Sequence, residues 1–96
     1  MLQSIDTSSR HTQAIILAPT RELSEQISFV VRSIGENMRV RVHTCVGGTS
    51  RVEDSKILRK GGVHVVVGTP GRVYDMLKWG AIRSEYLRIC VMDEAD

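Results

Sequence analysis

Three stretches of the chain are almost continuously apolar: Ala14-Ile15-Ile16-Leu17-Ala18, Val63-His64-Val65-Val66-Val67 and Ile89-Cys90-Val91-Met92. Each is of strand length, and runs of this kind predict strands covered on both faces. A fourth run, Val40 to Val46, alternates polar and apolar residues. Alternation predicts one wet face, which places this strand at the edge of a sheet.

Between the strands the apolar period changes from two to that of a helix. Thr20 reads as an N-cap, and Leu23, Ile27, Val30 and Ile34 recur at helical spacing until Gly35, which reads as the stop. Ser50-Arg51-Val52-Glu53 fits the capping box S-x-x-E and opens a second helix that Gly61-Gly62 ends. Thr69 and Pro70 supply a cap and a first-turn proline for a third, with Val73, Met76 and Leu77 as its apolar stripe and Gly80 as its stop. Strands alternating with helices predict an α/β unit: an open parallel sheet with helices on its faces.

With 96 residues, 42% hydrophobic and 25% charged, the chain is at most one small soluble domain of marginal stability. No apolar run approaches the roughly 20 residues a membrane helix needs. Met1 to Thr12 is polar and mixed, with no secretory or transit character, so the expected location is intracellular, cytoplasmic or nuclear. Cys45 and Cys90 sit inside apolar runs without a CxxC framework and read as buried, reduced thiols. His11, His43 and His64 show no ligand-like spacing with them, which excludes a zinc site on sequence grounds. A net charge of +2 neither requires nor excludes nucleic acid, so local placement must carry that question.

The chemistry-bearing residues fall just past the predicted strands. Pro19-Thr20-Arg21-Glu22-Leu23, Gly47-Gly48-Thr49, Gly68-Thr69-Pro70-Gly71-Arg72 and Asp93-Glu94-Ala95-Asp96 each follow one, at the end where α/β proteins build their sites. Helix N-termini at the first three would offer free N–H groups and positive dipole ends to a polyanion. Thr20, Thr49 and Thr69 can cap or donate hydroxyls, Gly47, Gly48 and Gly71 admit close backbone approach, and Arg21 and Arg72 add guanidinium charge. Any one junction alone would be ordinary capping chemistry. Aromatic residues are 4% of the chain and lie within or after helices, which argues against a base-stacking platform.

The PTREL, GG, TPGR and DEAD segments, in that order, resemble the motifs of the first half of the DEAD-box RNA helicases. The resemblance runs from about Gln13 to Asp96 and looks nearest to the initiation-factor subgroup. It implies a partial RecA-like (P-loop NTPase) fold, with residues 1–96 as an incomplete N-terminal domain. It further implies that Thr20, Arg21, Gly48, Thr69, Gly71 and Arg72 bind the RNA sugar–phosphate backbone without reading sequence. Asp93 would hold a hydrated Mg2+, Glu94 would polarise the attacking water, and Asp96 would link ATP state to a second RecA-like domain.

No G-x-x-x-x-G-K-[ST] occurs in the sequence. The family places that loop upstream, and Leu2-Gln3-Ser4-Ile5-Asp6 reads as the tail of the helix after it. ATP and Mg2+ are therefore expected of an intact parent and not of these residues alone. Expected partners are RNA, the second RecA-like domain and a scaffold protein of initiation complexes, with no membrane; self-association through an open sheet edge, the Ile89 to Met92 strand, is also expected. Two other readings stay open at this point. One is a non-catalytic RNA-binding or protein-interaction module on the same fold; the other is a DNA-directed ATPase of a neighbouring superfamily.

Overall fold

The computed structural model describes residues 5–48 and 50–92, and of 89–92 the backbone alone. Four strands alternate with three helices: β1 (Ala14–Leu17), α1 (Arg21–Gly35), β2 (Val42–Cys45), α2 (Arg51–Lys60), β3 (Val65–Gly68), α3 (Pro70–Lys78) and β4 (Ile89–Met92). Short 3-10 turns at Glu36–Met38 and Ser84–Tyr86 complete the connections.

The strands form one sheet in the order β2-β3-β1-β4, every neighbouring pair parallel. The alternating strand β2 is at an edge, as its pattern predicted, and β4 is at the other. The crossover from β1 to β2 runs one way along the sheet, and those from β2 to β3 and from β3 to β4 run the other way. A common right-handed crossover then requires α1 on one face and α2 with α3 on the opposite face. The core divides accordingly. Ala14, Ile16, Val65 and Val67 pack with Val31 and Ile27 of α1, whereas Ile15, Cys45 and Val66 pack with Leu58 of α2 and Val73 and Met76 of α3. The continuous apolar runs of β1 and β3 are thus buried from both sides.

Helix ends follow the sequence in two of three cases. Gly61 and Gly62, at φ +89° and +92°, end α2. At α3 the Ala81 amide donates to Met76 O and the Gly80 amide to Leu77 O, a Schellman ending in which Gly80 holds φ +79°. Gly35 does not stop α1. Its φ of −83° is right-handed, the coil tightens through Glu36–Met38, and Arg39 at φ +59° makes the reversal instead.

The docked face of α1 also differs from the predicted stripe. Ser24, Ser28, Val31 and Gly35 are buried, Leu23 and Ile27 are half-buried, and Val30 and Ile34 are exposed. Small residues let the helix approach the sheet closely, and their hydroxyls are satisfied: Ser24 Oγ donates to Thr20 O at 2.9 Å and Thr44 Oγ1 donates to Ser28 Oγ at 2.6 Å. Ile5 and Asp6 are not helical, and Ile5 is buried in the α1-side core; Leu2-Gln3-Ser4, the rest of the expected helix tail, lie outside the described residues.

Candidate functional site

Strand register builds a single rim. Cys45 pairs with Gly68, Gly68 with Leu17, and Leu17 with Met92, so the last residues of all four strands stand in one row. Helices α1, α2 and α3 all begin within six residues of that row. The sequence-predicted positions Thr20, Arg21, Gly48, Thr69, Gly71 and Arg72 therefore gather along one edge of the sheet. Asp93, Glu94 and Asp96, together with Thr49, lie outside the described residues.

Each junction is held by local chemistry. Thr20 is extended (φ −132°, ψ 159°) and its Oγ1 accepts from the Leu23 amide at 3.1 Å, capping α1. Ser50 caps α2 by accepting from the Glu53 amide at 3.3 Å. Thr69 occupies the N-cap position of α3 but makes no side-chain cap bond, with Pro70 opening the first turn. Its amide donates to Cys45 O at 3.1 Å, tying this loop to the tip of β2.

Two glycines are fixed by the fold and one is not. Gly48 holds φ +90°, and a Cβ there would stand 2.8 Å from a terminal guanidinium nitrogen of Arg21. At Gly68 a Cβ would strike the Cys45 carbonyl and lie 2.9 Å from Val73 Cγ2, so only glycine lets α3 close on the sheet. Gly71 is different: a Cβ would meet nothing within 4 Å, and its φ is not positive. Internal packing makes no demand for glycine at that position.

The two arginines of the rim stand in contrasting environments. Arg21 is exposed and makes a long 3.7 Å contact with Glu25, a pair of the kind that contributes little in water. Arg72 is buried, its side chain 7% exposed, and a terminal nitrogen donates to Asp54 Oδ2 at 2.7 Å; Asp54 is 5% exposed. The other carboxylate oxygen lies 2.9 Å from His43 Nε2. In this structure Arg72 thus braces the start of α3 against α2 and β2 beneath the rim.

The sequence reading missed Asp54 altogether. It reads as one acid on a charged helix, and only the fold shows that it faces the sheet. Cys45 joins the same group: the ligand atoms of His43, Cys45 and Asp54 all lie within 4.8 Å of one another. The usable signal was His43 and Cys45 two apart on a strand, which puts both on one face. Burial, and then the Asp54 carboxylate, push the Cys45 thiol up to about 12, against a partial opposing pull from Arg72. His64 is an interior histidine whose Nδ1 accepts from the Arg41 amide at 2.9 Å. Arg51, also unremarked in the sequence, is an exposed cation at the start of α2 and bridges to Asp75 of α3 at 2.6 Å.

A half-open cavity of about 380 Å³ lies at the opposite end of the strands, among Arg10, Lys60, Gly61 and Arg83. Two of its cations serve the helix ends, and Arg83 pairs with Glu85. Arg10 donates to Lys60 O at 2.8 Å and neighbouring Arg59 to Trp79 O at 2.7 Å, answering the carbonyls that helix C-termini leave open.

Three helices thus start along one row of parallel strand tips, two of them with a side-chain cap, and the family follows from sequence comparison. The family model described as DEAD/DEAH box helicase matches residues 1–96. The chain belongs to that family. Among relatives of this DEAD/DEAH box member, eukaryotic initiation factor 4A of Drosophila melanogaster is 57% identical over all 96 residues, which cover 24% of that protein. Eukaryotic initiation factor 4A-8 of Nicotiana tabacum is 55% identical over the same span, covering 23% of its length. The chain thus spans about a quarter of the curated relatives it matches. Among solved structures, a Dbp5 variant of S. cerevisiae bound to RNA and ADP BeF3 superposes with a TM-score of 0.84 at 30% identity, over 98% of this chain and 23% of that one. A second Dbp5 structure, with nup159, gle1, ip6 and ADP, gives 0.82 at 30% identity over 96% of this chain and 23% of that one. The open parallel sheet with flanking helices is accordingly a partial RecA-like fold, and no helix among the described residues is long and apolar enough to cross a membrane.

Proposed function

We propose that this chain is part of the N-terminal RecA-like domain of an ATP-dependent RNA helicase, and that its strand-tip rim holds the RNA sugar–phosphate backbone without reading bases. The observation that carries this reading is the register row Cys45-Gly68-Leu17, from which three helices start on one edge. Helix starts offer amide donors and positive dipole ends, which suit phosphate and are indifferent to base identity. Thr20, Arg21 and Gly48 would serve one stretch of backbone, and Thr69, Gly71 and Arg72 another. Gly71 favours the reading most directly, because open space above it leaves room for a ligand and no internal contact explains the missing side chain. Arg72 contributes chiefly as the brace of α3.

In the whole protein ATP and Mg2+ would bind beyond the rim, with Asp93 holding the hydrated cation, Glu94 orienting water and Asp96 coupling to the second RecA-like domain. The 96 residues contain no P-loop sequence and are not expected to hold nucleotide tightly alone. The initiation-factor relatives make a scaffold protein of initiation complexes the expected partner and the cytoplasm the expected location.

Fluorescence anisotropy with short single-stranded RNAs tests the rim. Affinity should fall linearly with log salt and be similar for different base compositions. Arg21→Ala should reduce the salt slope by up to about 0.7, the value for one single-strand phosphate contact. Gly71→Ala should weaken binding while the melting temperature stays unchanged. Strong base preference, or affinity indifferent to salt, would overturn the assignment.

A further inference from the structure

His43 and Cys45 leave β2 on the face that α2 and α3 cover, and Asp54 descends on them from the first turn of α2. We propose that His43 Nε2, Cys45 Sγ and Asp54 Oδ1 form a site for a thiophilic divalent cation of the zinc class, completed by one water molecule. Imidazole, thiolate and carboxylate together suit zinc or cobalt, whereas magnesium and calcium take oxygen ligands. A tetrahedral ion bonded at roughly 2.0–2.3 Å to each donor sets those donors about 3.5 Å apart. The ligand atoms all lie within 4.8 Å of one another, so the widest separation must close by at most about 1.3 Å and the 2.9 Å His43–Asp54 contact must open by about half that.

The surroundings fit such an ion. Arg72 donates to Asp54 Oδ2 at 2.7 Å and fixes the carboxylate as an outer-shell partner does. His43, at 18% side-chain exposure, is the solvent-facing member and provides the entry path. On binding, the Cys45 S–H proton leaves to solvent, the sulfur lone pair forms the metal–sulfur bond, and His43 binds as neutral imidazole. One proton is released per ion, and no redox change occurs. The ion would lock the tip of β2 to α2 directly beneath Gly47-Gly48, independently of whether the rim holds RNA.

The test is a Co2+ titration of the tag-free 96-residue chain in a non-chelating reductant. One equivalent should produce a near-ultraviolet thiolate-to-cobalt charge-transfer band and the visible intensity of four-coordinate cobalt, both bleached by Zn2+. Cys45→Ser should abolish the charge-transfer band, and His43→Gln should weaken cobalt binding more than tenfold. Saturating Zn2+ should raise the melting temperature of the parent chain and leave that of both variants unchanged. A folded parent chain with no charge-transfer band overturns the proposal, leaving the three groups as a hydrogen-bonded brace only. So does a band that survives in Cys45→Ser, which would place the thiolate at Cys90. Should Cys45→Ser fail to fold by circular dichroism, unchanged cobalt affinity in His43→Gln overturns it equally.

Discussion

At the scale of single residues, the Arg72–Asp54 pair decides how the rim is held. Both side chains are nearly excluded from solvent, so removing one partner takes a full opposite charge from a buried group. Losses of that type are about 3–5 kcal/mol, whereas replacing both partners with apolar groups of similar volume is often neutral. Arg72→Ala should therefore lower the unfolding free energy of the chain by about 3–5 kcal/mol. Arg72→Met should lose a similar amount, and adding Asp54→Leu to it should recover most of the loss, a non-additivity that urea denaturation of the parent chain, Arg72→Met, Asp54→Leu and the double variant would read. Equal and additive losses would show that the two residues act separately. Gly48 and Gly71 give the complementary comparison. Gly48→Ala forces an L-residue to φ +90° and should cost about 1–2 kcal/mol, while Gly71→Ala should change stability by less than about 0.5 kcal/mol. Sequence shows both as glycines beside helix starts; which of them the backbone requires depends on dihedral and neighbour, and neither is written in the local string.

At the scale of elements, the strands were legible because burial on both faces leaves a direct trace in composition. Ala14–Leu17 and Val65–Gly68 are central, and Val42–Cys45, the alternating run, is an edge. The helices were legible as helices, but the orientation of α1 was not. Apolar spacing pointed to Leu23, Ile27, Val30 and Ile34; the sheet receives Ser24, Ser28, Val31 and Gly35 with Ile27 beside them, and Val30 and Ile34 stay exposed. A serine can line a buried helix face only if its hydroxyl finds a partner, and those partners are Thr20 O, within the helix, and Thr44 on a strand that is distant in sequence. Long-range pairing of that kind has no local signature. The same holds for Asp54, whose partners come from β2 and α3. If close approach is what the serines provide, Ser28→Leu should push α1 off the sheet and cost about 1–3 kcal/mol as overpacking, although it raises apolar content. Thermal unfolding followed by far-ultraviolet circular dichroism would show it; a more stable Ser28→Leu chain would mean that the interface has room to spare.

At the scale of the whole molecule, the apolar stripe that α1 does not use against the sheet becomes a surface. Phe29 is 72% exposed, and Val30 and Ile34 beside it are exposed as well, on the face of the helix turned away from the core. Scattered apolar residues are normal on a surface, but neighbouring ones on one helical face favour association. The sheet adds a second route, since among the described residues β2 and β4 each pair on one side only. The two routes make different predictions. If the helix face dominates, the 96-residue chain should sediment as a concentration-dependent mixture of monomer and larger species. Phe29→Glu with Ile34→Glu should then return it to a monomer. Neither side chain belongs to a core cluster, so the double variant should keep its melting temperature to within the small changes typical of surface substitutions. Association that persists unchanged in the variant would assign it to the strand edges, where backbone N–H and C=O groups pair whatever the side chains on α1. A parent chain that stays monomeric at high concentration would show that neither surface is adhesive. The rim predictions could then be measured without correction for self-association.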